Sequence, residues 1–463
     1  MREKFDAVII GAGPAGLFAA RELSRRGHDV LLLDKGRDID KRLCPMKLGS
    51  RECLHCSPCN IICGWGGAGA FSDGKLTLTP DFGGNMEEYC GREKLVGLIS
   101  EVDEVYVRNG APERVYKSAG PAASRIIDKA RRAGLAVMPA AIRHMGTDRS
   151  KDVLASMYHQ AKETCDVRMG VTVNEVLVEN DTFKGVKTTD GTEIEARAAL
   201  LAPGREGTPW MEETIKKLGL GIASLPVDVG VRVEVPAASV KEITDQFYEI
   251  KAILDTPTFD DRVRTFCMCP YGEVTTEYQS RQSILTVNGH SNEDPDHKTE
   301  NTNFAILVSK KFSRPFKDPT GYGSHIARLA NMLTGGVMIQ RLGDLKKGRR
   351  STPERVARSI VRPTLEAAEP GDLSLVLPYR HLTGIMEMIE ALDNIIPGIN
   401  STNTLLYGVE VKFYSLKLEL DSNLATRIRG LWAAGDGAGV TRGVVQASAS
   451  GIWAARAMAE MLG

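Results

Sequence analysis

The apolar positions of this chain repeat in two rhythms that alternate along its length. Phe5 to Ile10 is a short continuous apolar run suited to a buried parallel strand, Pro14 to Arg26 has helical apolar spacing that stops at Gly27, and Val30 to Leu33 is a second buried strand. These elements predict one βαβ unit. Residues 37 to 80 lose periodicity and become rich in Cys, Gly and Pro. From about Leu95 to Glu163 the pattern turns mostly helical, most clearly over Arg149 to Glu163. Strand signals return at Val171 to Val178 and Gly185 to Thr189, close at Asp190-Gly191, and lead to the apolar strand Ala198 to Ala202. Asp228 to Val235 sets Val229, Val231, Val233 and Val235 against Arg232 and Glu234, which predicts a strand with one wet face. Beyond it come strand runs near Val274 to Tyr278, Ser283 to Val287 and Phe304 to Val308, and helices near Ser324 to Leu333 and Gly384 to Leu392. The end of the chain returns to the opening pattern, with a strand at Leu431 to Ala434, a Gly-rich turn and a helix from about Val445 to Leu462.

The resulting expectation is an α/β chain whose Rossmann-like domain is split in sequence around an inserted mixed-sheet α+β domain. The boundaries fall at 1–225 (with a Cys-rich loop 44–63 and a helical insert at about 95–163), 226–400 and 401–463. Composition narrows the function. Lys and Arg number 59 and balance 59 Asp and Glu, so no net field draws the chain to nucleic acid or an anionic membrane. Met1 to Asp6 runs straight into a strand with no signal-like or membrane-spanning stretch, which predicts a cytoplasmic protein. In such a compartment nine cysteines point to metal or redox chemistry, and five of them crowd between Cys44 and Cys63.

Gly11-Ala12-Gly13-Pro14-Ala15-Gly16 follows a strand and opens a helix, where a phosphate-binding turn belongs. Asp34 ends the next strand at the distance of a ribose-binding carboxylate. Near the other end, Gly430-Leu431-Trp432-Ala433-Ala434-Gly435-Asp436-Gly437 resembles the second FAD motif of the two-dinucleotide-fold flavoproteins. Ala199 to Gly204 resembles their middle motif, with Pro203 in place of the usual Thr. Three motifs in this order imply FAD as the resident cofactor. The runs Gly64 to Lys75, Phe266 to Pro270, Gly408 to Ser415 and Gly435 to Gly443 resemble a family of FAD-dependent dehydrogenases of that superfamily over nearly the whole chain. The implied FAD contacts are Gly11, Gly13, Pro14, Ala15, Gly16, Asp34, Lys35, Arg42, Gly66, Gly67, Ala68, Ser72, Gly74, Val173, Ala202, Gly204, Gly435, Asp436 and Val445.

Cys53-x2-Cys56-x2-Cys59, with Cys44-Pro45 upstream, has bacterial ferredoxin spacing, so Cys53, Cys56, Cys59 and Cys44 are candidate ligands of a [4Fe-4S] cluster. Cys63 and Cys269-Pro270 are alternates; zinc, buried thiols and a redox disulfide remain open. His381, Lys412 and Tyr414 are the candidate proton donors, with His290 a further one. Lys346 to Arg350 reads as a solvated turn ahead of a helix at Pro353. The expected activity is hydride transfer between flavin N5 and a small organic substrate, with a C=C bond as one target. An electron-relay flavoprotein with an iron-sulfur centre and a flavin hydroxylase are the alternatives. No second strand-turn-helix unit built on Gly-x-Gly-x-x-Gly is present, so NAD(P)H would have to visit the substrate face, or ferredoxin would supply electrons.

Overall fold

The computed structural model describes residues 3–45, 56–71, 74–116, 120–138, 141–223, 226–247, 249–279, 282–291, 296, 298–310, 318–413 and 417–463. The chain divides into two compact units, Met1–Val115 with Ile142–Leu225 and Ser415–Gly463, and Tyr116–Ala141 with Pro226–Tyr414.

In the first unit the apolar runs at the start of the chain form the parallel strands Glu3–Ile10 and Val30–Asp34, joined by the helix Pro14–Arg25. The seven-stranded sheet runs Asp166–Met169, Val30–Asp34, Glu3–Ile10, Glu193–Leu201, Thr182–Thr188, Val173–Glu179, and Leu431–Ala433 also lies alongside Glu193–Leu201. Ala7 to Ile9, Leu31 to Leu33 and Ala198 to Leu201 are fully buried, as continuous apolar parallel strands require. The C-terminal helix Val444–Leu462 packs against Pro14–Arg25 so closely that a Cβ on Gly451 would lie 2.0 Å from the Ala15 carbonyl oxygen. The antiparallel strands Val173–Glu179 and Thr182–Thr188 turn at Asn180 and Asp181, both at positive φ, a tight turn the sequence pattern did not mark.

The second unit is built on a sheet ordered Glu369–Pro370, Met338–Arg341, Leu405–Lys412, Val227–Pro236, Asn301–Lys310, Arg262–Cys269, Lys251–Asp255, Ala136–Met138. Its pairings are antiparallel except at Glu369–Pro370. Helices Pro121–Arg132, Ala237–Phe247, Pro319–Thr334 and Tyr379–Leu392 bury their apolar stripes against one face, which carries Val229, Val231, Val233 and Val235. The hairpin Glu273–Gln279 and Ile284–His290 covers part of the other, with Val274, Val287, Ile339, Leu405 and Tyr407 beneath it.

Three expectations change here. Residues 116–141 belong to the second unit, because Ala136–Met138 pairs with Lys251–Asp255 at the sheet edge. Residues 401–413 also belong to it, because Leu405–Lys412 is an interior strand. The wet face predicted for Asp228 to Val235 is dry. Arg232 and Glu234 are fully buried, since the face that alternation left polar is roofed by a second layer and its charges pair inside the fold.

Candidate functional site

The turn Gly11 to Gly16 joins the Glu3–Ile10 strand to a helix whose N-cap, Gly13, has no side-chain cap. Its three glycines are not equivalent. Gly11 sits at φ +111°, and a Cβ there would fall 2.1 Å from the Ala202 carbonyl oxygen. A Cβ on Gly16 would fall 1.8 Å from the Gly11 carbonyl oxygen. Gly13 is extended, at φ −78° and ψ −178°, and a Cβ on it would meet nothing within 4 Å. Steric fit inside the protein thus accounts for Gly11 and Gly16 but leaves open space at Gly13, in front of uncapped helix N–H groups that favour an anion.

Asp34 accepts hydrogen bonds from the Ala12 N–H at 2.8 Å and the Gly36 N–H at 2.7 Å, one to each carboxylate oxygen. Each oxygen keeps a lone pair for a further donor, as a ribose hydroxyl would supply. The Cys59–Gly64 turn packs against this strand end: a Cβ on Gly36 would lie 2.3 Å from the Gly64 nitrogen. Gly66 N–H donates to the Ala12 carbonyl at 2.8 Å, and Gly67 lies against Gly13. Ala68 is exposed on the 3-10 turn Gly67–Phe71.

Across the sheet, Ala202 N–H donates to the Ile10 carbonyl at 2.9 Å, and a Cβ on Gly437 would lie 2.6 Å from the Gly204 carbonyl oxygen. The middle and C-terminal motifs therefore meet next to the first. Gly435 N–H donates to Ser450 Oγ at 3.0 Å. Asp436 accepts from Thr441 Oγ at 2.7 Å and lies 3.5 Å from Arg205 Nε. The helix behind it starts at Gly443, again without a side-chain cap, with Val445 buried in its first turn. Sequence reasoning missed Gln446, which is buried at the same helix start, donates to the Pro80 and Phe82 carbonyls and accepts from the Met86 N–H. Its only signal was a polar residue in an apolar helix.

Some predicted contacts point elsewhere. Arg42 is 1% exposed and donates to the carbonyls of Asn60 (2.9 Å), Trp65 (2.5 Å) and Ile61 (2.6 Å), with its guanidinium over the Phe71 ring. It clasps the Cys loop, and burial lowers its pKa to about 10. Gly74 packs on the helix Gly146–Thr164, where a Cβ would lie 2.5 Å from Ser150 Oγ. Val173 is a buried strand residue opposite Thr188, and Lys35 is half-buried beside Asp34. Ser72, Tyr414 and Cys53 lie outside the described residues.

Cys44, Cys56 and Cys59 are half-buried and Cys63 is buried, its thiol pushed up to about 11 by desolvation. Among the described residues no three Cys, His, Asp or Glu side chains are gathered to hold a metal ion.

The proposed proton donors are not brought together. Lys412 lies on the hairpin side of the second unit's sheet, in register with Asp228. His381 lies in the helical layer on the opposite face, 2% exposed, 6.0 Å ring to ring from Tyr322, with neither ring nitrogen hydrogen-bonded. Burial lowers its pKa to about 4, which fits a neutral packing residue. His290 is exposed. The Lys346 to Arg350 turn is solvated as expected.

Residues 6–41 match the family described as FAD dependent oxidoreductase, and 226–413 match the FAD-dependent protein, C-terminal domain-like family. The chain is an FAD-dependent oxidoreductase. A protein of Clostridium beijerinckii described only as uncharacterized is 27% identical over 474 residues, covering 97% of this chain and 80% of that one. A digeranylgeranylglycerophospholipid reductase of Methanosarcina mazei is 41% identical over 54 residues, 12% of this chain and 13% of its own. The glycine oxidase structure from Geobacillus kaustophilus superposes with a TM-score of 0.39 at 14% identity, covering 99% of this chain and 95% of that one. Among the described residues no helix is long and apolar enough to cross a membrane.

Proposed function

We propose that the first unit holds FAD along Gly11 to Gly16, Asp34, Ala202 to Gly204 and Gly435 to Asp436, and that the enzyme passes a hydride to or from an organic substrate, with a C=C bond as the favoured target. When bound, the flavin supplies a two-electron redox centre. The protein's part is to bind and orient it: uncapped N–H groups behind Gly13 for the pyrophosphate, the Asp34 carboxylate for the adenosine ribose, and Asp436, held by Thr441, for the ribityl hydroxyls. The uncapped N–H groups of the helix that follows Gly443 would favour negative charge on a flavin held beside them. Electrons would come from NAD(P)H visiting the substrate face or from ferredoxin.

The open space at Gly13 carries this reading. Gly13→Val places its Cβ where nothing in the protein lies within 4 Å, so it should fold with nearly unchanged thermal stability as apoprotein and yet purify without flavin. Gly11→Val, forced against Ala202, should fail to fold. A yellow Gly13→Val enzyme with one FAD per chain would refute the assignment.

A further inference from the structure

Residues 80–86 form a strap fastened to the turn that follows Asp436, and neither the glycine motifs nor the proposed cofactor contacts include them. Both segments belong to the first unit. Asn85 N–H donates to the Val440 carbonyl at 2.9 Å and Arg442 N–H donates to the Gly83 carbonyl at 2.9 Å, which pairs Gly84 with Thr441 in an antiparallel bridge. Gln446 clasps the same strap from the first turn of the helix Val444–Leu462. Its amide nitrogen donates to the Pro80 and Phe82 carbonyls, at 3.2 and 3.1 Å, and its oxygen accepts from the Met86 N–H at 3.3 Å. A side-chain amide has two N–H groups, so both are spent on the strap. At the start of the strap, Asp81 accepts from Thr79 Oγ at 2.8 Å and from Arg92 at 2.7 Å.

The contact at Gly84 turns this fastening into geometry. A Cβ on Gly84 would lie 2.6 Å from Gln446 Oε1 and 2.8 Å from Thr441 Cα, so the strap bears directly on the clasp and on the backbone of Thr441. Thr441 and Gln446 are each 2% exposed, which leaves neither much room to yield. The Thr441 hydroxyl in turn donates to Asp436 Oδ1 at 2.7 Å, while Oδ2 lies 3.5 Å from Arg205 Nε. One oxygen of the carboxylate is therefore held from behind, which fixes the direction of the other. A carboxylate meant to bind hydroxyl groups gains from being aimed before the ligand arrives.

We propose that Gly84 and Gln446 are positioning residues that act through Thr441 to aim the Asp436 carboxylate at the cofactor's ribityl chain. This rests on the FAD reading and adds the segment that sets one of its contacts. The test strips the full-length protein of flavin and titrates it by calorimetry with FAD and with ADP-ribose, which has the adenosine and pyrophosphate but no ribityl chain. Thr441→Val keeps the side-chain shape without the hydroxyl and should weaken FAD roughly 10- to 100-fold, the size of a hydrogen bond to a charged group, while Thr441→Ser keeps most of the affinity. ADP-ribose should bind all of these proteins alike. Gly84→Ala and Gln446→Leu should weaken FAD by a smaller factor, again without changing ADP-ribose. Combined with Thr441→Val, Gly84→Ala should cost little more than Thr441→Val alone, because both act on one carboxylate. Unchanged FAD affinity in Gly84→Ala and Gln446→Leu, additive losses in the double variant, or parallel losses for FAD and ADP-ribose would overturn the proposal. Wild-type protein that binds neither ligand would overturn the cofactor reading itself and the proposal with it, a result distinct from the other three.

Discussion

The two units solve opposite problems with opposite materials. The first, on the function proposed above, brings its backbone up to a large anionic cofactor by removing side chains: Gly11 and Gly16 let strand, turn and helix close on one another, and Gly13 leaves a gap. The second fills the space between its sheet and hairpin with charge. Arg232, fully buried, donates to both Glu410 oxygens, at 2.8 and 3.1 Å, and to Asn303 Oδ1 at 2.6 Å; Glu234 accepts from Tyr407, Thr364 and Asn301. A site made from absent side chains survives most nearby changes but no intrusion. A network of buried charges tolerates no missing member.

The largest expected effect tests that last statement. Burial alone would raise the Glu410 carboxyl, yet Arg232 and Lys412 hold it below the usual range, so it is ionised in a site closed to water. Arg232→Met takes away its main partner and should cost roughly 3–5 kcal/mol in urea unfolding. Arg232→Met/Glu410→Met removes both charges and should recover much of the loss. If the double variant were the less stable, the pair would be a net source of stability rather than a mutual requirement.

The same contrast explains what could be read before the fold was known. The glycine-rich turns were legible because a tight strand-to-helix turn needs glycines at fixed short spacing, next to elements with clear periodicity. Asp34 was legible because it ends the second strand of a single βαβ unit. The charge network was not, since Arg232 meets a glutamate 178 positions away and an asparagine 71 away, and alternation reports only that a face is polar. His381 and Lys412 looked equivalent for that reason, though the sheet separates them. Arg42, implied as an FAD contact by the resemblance alone, has its N–H groups on three carbonyls of the Cys loop, partners that no short-range pattern marks.

His381 gives the next effect in size and sharpens the comparison, as a buried titratable group of the second unit with no partner to compensate it. Its folded pKa, about 4, lies below the unfolded value of 6.5, mainly through desolvation and then through Lys310, opposed by Asp261. Between these values the unfolded chain binds a proton that the folded chain does not. Stability therefore falls as pH drops from 6.5 toward 4, by roughly 3 kcal/mol in all. His381→Leu should abolish this component, visible as a wild-type-minus-variant difference that shrinks as pH falls from 7 to 4.5. A difference that stays constant with pH would mean that the imidazole is solvated.

The smallest effect separates two neighbours in one basic run. Lys346 to Arg350 is exposed throughout, and composition gives no reason to rank its members. Arg349, however, reaches back to Asp344 at 2.9 Å, and that carboxylate is 1% exposed, held also by Ser351 Oγ at 2.9 Å. Desolvation opposes the Asp344 charge, and Ser351 and Arg349 outweigh it, so its pKa is lowered. Arg349→Ala leaves a buried carboxylate with one fewer donor and should cost about 1 kcal/mol, a value limited by the half-exposed guanidinium. That loss should fade as the pH falls through the lowered folded pKa and Asp344 becomes protonated. Arg350→Ala, on an exposed side chain, should change thermal stability by less than about 0.5 kcal/mol. Equal losses would show that the run acts through its summed charge, and the rule that buried partners decide the value of a charge would not extend to the surface of this unit.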